Sequence, residues 1–573
     1  MPGISQLFKV ETFSDGPTNW DYSDNITDMS KVNRFGVPKS RCSCKSSKEC
    51  VEEAPVRLPN ARFVSRKFFT EDIDAEDNHV THLHTQFGQF LDHDLVMTPE
   101  EDEHDCCRDT DKRPSCFPID IPQNDDFYQS YSLMARGHNQ TCLDHSRSTG
   151  YCSQGFEDEA HEQFNGITSF VDASNVYGST NADSLNLRKN DGSGRLKADR
   201  NFLLPKINKE RTAGDTRAIE MPGLAAMHTI FLREHNSLCN ALRNHPDVDS
   251  SWEDEDYFQN ARRILIALMQ KIVYAEYLPI VLSRKNMILR GLVLKKDTEY
   301  FSDVNPTHFN SFGAAAFRFG HSMIQGLIGM FKDMHSKYDE YALSHNFNNL
   351  SNYELANGKG MEMIITGMMA QKAQANDRHV SEQVTNKLFV PGNMPSGVGG
   401  DLMARNIQRG RDHGLPSYAA FYKHLHKIPA HNHVLDCWSK KPKEISRSNW
   451  DLLKRIYNHP HHIDLWVGGM AEKPYKGGIT GRTFQNIIGQ TFANLKNGDR
   501  FFFTHKGNMN SAEYNQIMSR TLGDIICDNF NQIKGVALDN VFLVNSPIKI
   551  CGQRTNKLDI KAFNVFKVNK GKW

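Results

Sequence analysis

The sequence has no net charge and no long apolar segment. Its 573 residues include 68 Lys and Arg against 68 Asp and Glu. A general nucleic-acid-binding protein needs an excess of basic residues, so this balance argues against that class. The most apolar stretch, 264–275, is interrupted by Gln270 and Lys271. It falls short of the roughly 18 apolar residues that cross a bilayer, so we expect no membrane span.

The first ten residues also lack the charged and apolar regions of a signal peptide. The chain nevertheless has 12 cysteines, eight of which fall into three tight groups: Cys42, Cys44 and Cys50, then Cys106, Cys107 and Cys116, then Cys142 and Cys152. Such a set is typical of disulfides formed in an oxidising compartment. Zinc is the alternative, but Cys42-Ser-Cys44 and Cys106-Cys107 do not have its usual ligand spacing.

Three sequons, at Asn25, Asn139 and Asn349, also fit a secreted glycoprotein. We therefore expect an extracellular protein or one stored in a secretory granule, whose leader is absent from this chain. The oligomeric state stays open.

Strand signals are few, and most of the pattern is helical. Apolar residues recur at helical spacing over 82–94, 224–242, 261–277 and 312–330. Residues 1–57 are polar and lack periodicity, so we expect a cysteine-containing N-terminal arm. We predict one large, mainly α domain over 58–555 with very little β structure, followed by a polar, peripheral tail at 556–573.

The segment Gln89-Phe-Leu-Asp92-His93-Asp94 combines acid–base groups on one predicted helix. Gln89 and His93 are one turn apart and share a face, with Asp92 beside them. A histidine next to an amide can hold a peroxide and move its proton from one oxygen to the other. The alternative is the polar end of a surface helix.

Oxygen-bearing residues alternate in the segment Thr168-Ser-Phe170-Val-Asp172-Ala-Ser174. The side chains of Thr168, Asp172 and Ser174, with the carbonyl of Phe170, can surround a hard cation, and Asp94 is a further carboxylate for it. Calcium takes six to eight such oxygens. An ordinary polar turn is the alternative.

Two further motifs carry possible active-site groups. In Arg217-Ala-Ile-Glu220, the arginine can stabilise developing negative charge, while Glu220 can be simply a favourable carboxylate at a helix start. His321, within Phe317-Arg-Phe-Gly-His321, is either a core histidine or an axial ligand of haem iron. Asn406 offers an amide oxygen that can accept the other ring proton of such a ligand.

Taken together, the motifs resemble those of the animal haem peroxidases, the family that includes myeloperoxidase, lactoperoxidase and peroxidasin. The resemblance extends from about Leu58 to Cys551. It is carried by the segments 88–94 (GQFLDHD), 172–178 (DASNVYG), 232–236 (LREHN), 406–414 (NIQRGRDHG) and 464–469 (DLWVGG).

The resemblance implies a role for each matching residue. His93 is the expected distal acid–base residue, with Gln89 as its polar neighbour and Arg217 as the distal arginine. The expected haem-binding residues are His321 as the iron ligand, Asn406 as its orienting partner, and Asp92, Glu220, Met221, Arg318 and Arg409. The expected calcium ligands are Asp94, Thr168, Phe170, Asp172 and Ser174.

Covalent attachment of a haem b derivative is a further implication. Asp92 and Glu220 match the carboxylates that form esters with haem in this family. Met221 matches the methionine that forms a sulfonium link in myeloperoxidase, and its alternative is a methionine that fills a gap at a helix start. The resemblance also implies the disulfides Cys142–Cys152 and Cys527–Cys551 and makes Cys107–Cys116 plausible. It assigns no partner to Cys239 or Cys437.

The implied activity is reduction of hydrogen peroxide through a ferryl intermediate, with oxidation of halides, thiocyanate or phenolic, tyrosine-like donors. Three alternatives stand beside it: a fatty-acid dioxygenase relative, an enzyme acting on lipid hydroperoxides, and an idle adhesion or matrix protein. Dioxygenase relatives place a radical-forming tyrosine three residues before the proximal histidine, where this chain has Arg318. An idle protein is expected to have lost His93, Arg217 or His321, and all three are present.

Overall fold

The structure is a computed structural model. Besides the strands Cys42–Ser43 and Val51–Glu52, it describes residues 58–69, 75–100, 106–107, 115–134, 141–151, 162–390, 398–429, 432–531, 535–554 and 556–568. The rest of the predicted arm, the sequons at Asn25 and Asn139, and Cys44, Cys50 and Cys152 lie outside these residues.

Helices dominate, which confirms the mainly α prediction. The α-helices of the described chain are α1 Ala61–Phe68, α2 His82–Leu95, α3 Asp126–Met134, α4 Ser174–Tyr177, α5 Asn181–Leu187, α6 Pro222–Leu242, α7 Asp254–Ile272, α8 Leu278–Val281, α9 Arg284–Leu289, α10 Asn310–Gly313, α11 Ser351–Ala370, α12 Glu382–Thr385, α13 Leu402–Asp412, α14 Tyr418–Leu425, α15 Arg447–Ile456, α16 Leu465–Ala471, α17 Arg482–Asn497, α18 Ser511–Ser519 and α19 Leu522–Asn529. A π-helix, Val273–Tyr277, joins α7 to α8, and shorter 3₁₀-helices include Thr216–Ile219 and Ala316–Met323.

Strands occur as short antiparallel pairs. They are β1 Cys42–Ser43 with β2 Val51–Glu52, β3 Glu76–Thr81 with β12 Lys372–Gln374, β4 Ile119–Asp120 with β5 Cys142–Leu143, β6 Gly150–Tyr151 with β7 Glu162–Gln163, β8 Lys206–Ile207 with β9 Glu210–Arg211, β10 Leu327–Asp333 with β11 Ser336–Ala342, and β13 Val536–Leu538 with β14 Ile548–Ile550. Each pair clips neighbouring segments together instead of forming a layer of its own.

The expected helix over 312–330 is wrong. The chain forms α10, then the 3₁₀-helix Ala316–Met323, and then strand β10 of a hairpin. The strand residues Ile328 and Met330 are buried because the hairpin packs on α11. This contact is close, since a Cβ at Gly367 of α11 would lie 1.8 Å from the carbonyl oxygen of Gly329. A tertiary contact thus replaced the helix that the apolar spacing favoured.

Helix α6 forms the centre of the core. Helices α2, α7, α11 and α19 all pack against it, and most of its residues are buried. Its first turn approaches α2 closely, since a Cβ at Gly223 would lie 2.6 Å from Oε1 of Gln86. This approach brings the start of α6 beside the polar face of α2.

One continuous helical stretch in the described chain, Asp254–Val281, is long and apolar enough to cross a membrane. Its most apolar window has a mean hydropathy of 1.6, and 78% of that window is buried inside the protein. Packing against α6 therefore accounts for its composition.

Two of the expected disulfide pairings are wrong. Cys106 is bonded to Cys116, and Cys107 to Cys142, whereas Cys527–Cys551 is confirmed. The β4–β5 pairing places the chain after Cys116 alongside Cys142. The adjacent cysteines 106 and 107 therefore each bridge to a different segment, a choice that spacing alone cannot determine.

A buried arginine attaches α1 to the region that carries α13. Arg62 is fully buried and forms ion pairs of 2.7 Å with both Asp125 and Asp401. It also donates to the carbonyl of Thr385 and to Asn386. Asp401 is the N-cap of α13 and accepts from the backbone of Ala404. This cluster therefore helps to hold α13 in place.

The C-terminal tail is packed, contrary to the expectation that it is peripheral. Ile560 and Phe563 are buried, and Asn260 of α7 donates to the carbonyl of Phe566. The backbone of Val568 donates to Asp256. Residues 556–568 thus form part of the same packed body as α7.

Candidate functional site

The predicted active-site residues converge on one internal cavity of about 290 Å³. They come from three distant parts of the chain: α2, the turn before α6, and the 3₁₀-helix Ala316–Met323. Eight of the predicted residues line it: Gln89, Asp92, His93, Arg217, Glu220, Met221, Arg318 and His321. Asn406 lies behind His321 instead of on the wall.

Helix α2 carries His93, the predicted acid–base residue. His93 is 4% exposed, and its Nδ1 forms no hydrogen bond with the described residues. Burial, followed by the positive charge of Arg217, lowers the pKa of His93 well below its usual value. The imidazole is therefore neutral and able to accept a proton.

Asp215 is a site residue that the motif reading missed. It accepts hydrogen bonds from Nε and Nη2 of Arg217, at 3.0 and 2.8 Å, and from the backbone N–H of the same residue. Its Oδ1 lies 3.8 Å from Nδ1 of His93. Burial tends to raise the pKa of Asp215, but the hydrogen bonds and positive charge of Arg217 lower it to about 2. The carboxylate of Asp215 thus holds the guanidinium of Arg217 beside His93. In the sequence, the position of Asp215 two residues before Arg217 was the one feature that could have predicted this pairing.

Asp92 and Glu220, whose carboxyl groups line the cavity, have raised pKa values because burial is the largest influence on them, in contrast to Asp215. Burial raises the pKa of Asp92 to about 6 and that of Glu220 to about 7, and Arg217 opposes both shifts. Nε2 of Gln89 donates to Oε2 of Glu220 at 3.1 Å, and Gln86 in turn donates to Gln89. This chain of amides, which includes a residue that was not predicted, sets the orientation of Glu220.

His321 and Asn406 form the expected pair, but with the opposite hydrogen-bond direction. Nδ2 of Asn406 lies 2.8 Å from Nδ1 of His321, while Oδ1 of Asn406 accepts from Arg318 at 3.2 Å. The amide oxygen of Asn406, which was expected to face His321, instead accepts a hydrogen bond from the guanidinium of Arg318. Burial lowers the pKa of His321 to about 3, so the ring is neutral. In this orientation the single proton of the neutral ring is on Nε2. Nε2 could bind a ligand only with the proton moved to Nδ1, where the oxygen of a reoriented Asn406 amide would accept it.

Arg409 does not line the cavity. Its guanidinium donates to the carbonyl of Ser146 at 2.8 Å and to Glu100 at 2.7 Å, with further bonds to Ser148 and Asp412. Its positive charge still lowers the pKa of Arg318, behind the larger effect of burial. Arg409 therefore acts on the site through its charge and its packing.

The predicted cation ligands lie together on the other side of α2. Oγ of Ser174 donates to Oδ1 of Asp94 at 3.0 Å, and Thr168 donates to Asp172 at 2.9 Å. Burial, and then the neighbouring Asp172, raise the pKa of Asp94 well above its usual value. Oδ2 of Asp172 has no hydrogen-bond partner in the described chain. Phe170 belongs to the same loop, so all five predicted residues lie in this region.

The comparisons with known proteins agree with this geometry. The profile of the animal haem peroxidase family matches residues 28–542. The chain is 31% identical over 525 residues to peroxidasin of Drosophila melanogaster, covering 85% of this chain and 33% of that protein. It is 32% identical over 520 residues to human eosinophil peroxidase, covering 83% and 66%. The chain thus spans between a third and two thirds of these relatives, and it belongs to the animal haem peroxidase family.

Solved structures give the same fold. Peroxidase A from Dictyostelium discoideum superposes with a TM-score of 0.69 at 26% identity, over 85% of this chain and 92% of that one. A fatty acid alpha-dioxygenase from Arabidopsis thaliana superposes with a TM-score of 0.67 at 19% identity, over 88% and 80%. The second similarity concerns the fold alone.

The family implies a haem cofactor, and the cavity residues fit it. His321 is a buried, neutral imidazole on the cavity wall with one ring nitrogen engaged by Asn406. His93 lines the same cavity with an unsatisfied ring nitrogen. The cavity thus offers haem one histidine as a possible iron ligand and a second histidine as a base. Met221 and apolar side chains line other parts of the wall.

The raised pKa of Glu220 predicts a pH-dependent stability of the haem-free protein. A folded-state pKa of about 7, against 4.5 ordinarily, favours folding below pH 4.5 and loses that contribution as the pH rises through 7. Glu220→Gln removes this ionisation, so the variant should gain in melting temperature relative to the wild type between pH 4.5 and 8. Thermal unfolding across this pH range measures the difference.

The exposed Glu210→Gln is the matched control and should show no such trend. A constant difference between Glu220→Gln and the wild type at every pH would contradict the burial of an uncharged Glu220.

Proposed function

We propose that this chain is a haem peroxidase that reduces hydrogen peroxide and oxidises halides, thiocyanate or phenolic donors. The observation that carries the proposal is the pairing, in one cavity, of a buried neutral His93 with an arginine held by Asp215. A free base beside a fixed cation is what cleavage of an O–O bond requires, because a proton must move while negative charge develops. His321, on the wall of the same cavity, would hold the iron of a bound haem.

Bound haem supplies the redox chemistry, which reduces peroxide and withdraws electrons from the donor. His321 would hold the metal, with its ring proton on Nδ1. Asn406 and Arg318 fix the ring, since Asn406 contacts Nδ1 and is itself held by Arg318. Burial lowers the pKa values of both histidines, so both rings are neutral. His93 can accept a proton directly, whereas His321 needs its ring proton on Nδ1 before Nε2 can bind a metal.

His93 takes the proton from one peroxide oxygen and returns it to the leaving oxygen. Arg217 stabilises the negative charge that accumulates there, and Asp215 keeps its guanidinium in place through two side-chain hydrogen bonds. Gln89 fixes the orientation of Glu220 by donating to its carboxyl. Each of these side chains thus has one role in the proposed reaction.

Replacement of His93 tests the proposed activity. His93→Ala should lower kcat/KM for hydrogen peroxide by about 10² to 10⁴, the range typical for loss of a general acid–base group. Haem content should remain unchanged because His321 is intact. The measurements are stopped-flow consumption of peroxide with bromide or a phenol as donor, and the haem absorbance per chain.

His335→Ala, on an exposed hairpin turn, is the matched control. Equal rates for His93→Ala and the control, or no peroxide consumption by the haem-loaded wild type, would refute the proposed function.

The cavity supports organic donors as well as halides. Beyond the polar end, its wall consists of apolar side chains, among them Ile328, Leu343, Val384 and Leu388. Phe347 and Phe389 contribute rings with centroids 4.8 Å apart. An apolar wall accommodates a phenol ring better than a charged donor. Arg318 at the position of the dioxygenase tyrosine disfavours dioxygenase chemistry, and the intact His93, Arg217 and His321 disfavour an idle scaffold.

Covalent attachment of haem is a further part of the proposal. Asp92, Glu220 and Met221 line the cavity, and burial raises the pKa of Asp92 to about 6 and that of Glu220 to about 7, so both carboxyls exchange a proton close to neutral pH. We infer ester links through the two carboxyls and a sulfonium link through Met221. After treatment with peroxide, the haem should stay on the wild-type chain during extraction with acidic acetone.

The variants separate the three links. Asp92→Asn with Glu220→Gln should release more haem, and Met221→Leu should shift the absorption band to shorter wavelength, whereas the control Met334→Leu should do neither. Complete extraction of haem from the peroxide-treated wild type would contradict the covalent links.

A calcium ion is proposed for the cluster of Asp94, Thr168, Phe170, Asp172 and Ser174. Two buried carboxylates and a partner-free oxygen of Asp172 support a cation there, since both cannot stay ionised without one. Calcium at about 100 times its dissociation constant should stabilise the fold by about 2.7 kcal/mol. Unfolding with calcium and with a chelator measures this.

Asp172→Asn should remove the calcium-dependent difference, whereas Asp339→Asn, on the exposed strand β11, should retain it. Equal stability of the wild type with and without calcium would exclude this site.

Two further inferences concern the location of the protein and the bounds of its catalytic domain. We infer a secreted protein, supported by three disulfides in the described chain and by the exposed position of Asn349. The proposed catalytic domain begins at 58, after the N-terminal arm, and extends beyond the expected end at 555, because residues 556–568 pack on α7.

A further inference from the structure

Exposed apolar side chains concentrate on one short segment that does not line the cavity. The described chain exposes thirteen large apolar side chains, and five of them fall within 288–301. They are Ile288, Leu289, Val293, Tyr300 and Phe301, with exposed fractions of 58, 72, 44, 39 and 48%. Single exposed apolar residues are ordinary, but a concentration of five marks a surface that contacts something apolar. We call these five residues the 288–301 patch.

The chain holds this patch rigidly. Met287 and Leu292 are buried on either side of the turn, and the N–H of Leu292 donates to the carbonyl of Met287 at 2.9 Å. Arg290 donates to Asn486 of α17 at 3.0 Å. The turn after α9 is therefore fixed to α17, while Ile288 and Leu289 remain on the outside.

The two halves of the patch meet at the end of α17. Lys496 donates to the carbonyl of Gly291 at 2.6 Å, and the N–H of Phe301 donates to the carbonyl of Asn497 at 2.9 Å. Adjacent residues of one helix thus hold the turn that carries Leu289 and the strand-like segment that carries Phe301. Both halves of the patch are therefore anchored at the C-terminal end of α17.

Uncompensated positive charge borders this surface. Arg284, Lys285 and Lys295 are exposed, and none of them forms an ion pair with a carboxylate of the described chain. Asp297 pairs with Lys296 and Glu299 with Lys506, which leaves Asp303 as the one exposed acid of 284–303 without an ion pair in the described chain. The three unpaired basic residues outnumber it. The patch is therefore apolar in the middle and basic at its edge, on a chain with no net charge overall.

We propose that the 288–301 patch docks on the surface of a membrane that contains anionic phospholipids. Aliphatic and aromatic side chains enter the boundary between headgroups and acyl chains, while neighbouring lysines and arginines attract anionic headgroups. This combination matches Leu289 and Phe301 beside Lys285 and Lys295. Docking at this surface would leave the cavity residues free to act, because none of the five patch residues lines the cavity.

Flotation of the full chain with lipid vesicles tests the proposal. Vesicles of phosphatidylcholine with about 30% phosphatidylserine should bind the wild type at least about tenfold more strongly than pure phosphatidylcholine, and less strongly at high salt. Ile288→Ser with Leu289→Ser should weaken this binding by about tenfold or more, because two apolar side chains no longer enter the lipid. Lys285→Glu with Lys295→Glu should abolish the preference for the anionic vesicles.

Leu185→Ser is the matched control, because Leu185 is 55% exposed on α5 and lies outside the patch. It should bind vesicles like the wild type. The proposal is overturned if the wild type binds neither kind of vesicle, or if the Ile288–Leu289 variant binds as well as the control. It is also overturned if light scattering shows a dimer that this variant dissociates while vesicles do not bind, since the patch would then join two copies of the chain.

Discussion

The site depends on the burial of a polar helix within an apolar core. Helix α2 packs against α6, yet it carries His93 and Asp94 side by side, exposed by only 4 and 0%. Neighbouring residues of a helix point about 100° apart, so the two side chains face different surroundings. His93 reaches the cavity, while Asp94 reaches the loop of Asp172. A cation bound to that loop would therefore brace the helix that carries the catalytic base.

Burial also decides which groups of the cavity carry charge. It lowers the pKa values of both cavity histidines, so both are neutral near pH 7. It raises the pKa of Glu220 to about 7 and that of Asp92 to about 6, so near pH 7 Glu220 is half protonated while Asp92 is mostly ionised. Asp215 differs because it makes three hydrogen bonds to Arg217, and these outweigh its burial. The result is one fixed ion pair among groups that are ready to exchange protons or to bind a cofactor.

The sequence predicted those elements whose apolar spacing agrees with their packing. Helix α2 and most of α6 follow the expected ranges because each presents one apolar face to the core. The helix predicted over 312–330 was wrong because the second half of this range pairs with strand β11 and packs on α11. The spacing of apolar residues along the sequence carries no information about that contact. The expected pairings Cys142–Cys152 and Cys107–Cys116 were wrong for a similar reason, since the β4–β5 strand pairing places Cys142 near Cys107.

The amino-acid sequence by itself determined which chemical groups are available and which of them share a helix face. This was enough to select His93, Arg217 and His321, because their motifs are local. Only the tertiary structure decided their partners and their protonation. The bond from Gln89 to Glu220 joins residues 131 apart, and the competition of Arg318 for the amide of Asn406 reverses an expected hydrogen bond. Such contacts, and the desolvation that shifts each pKa, arise only when distant segments pack together and exclude water.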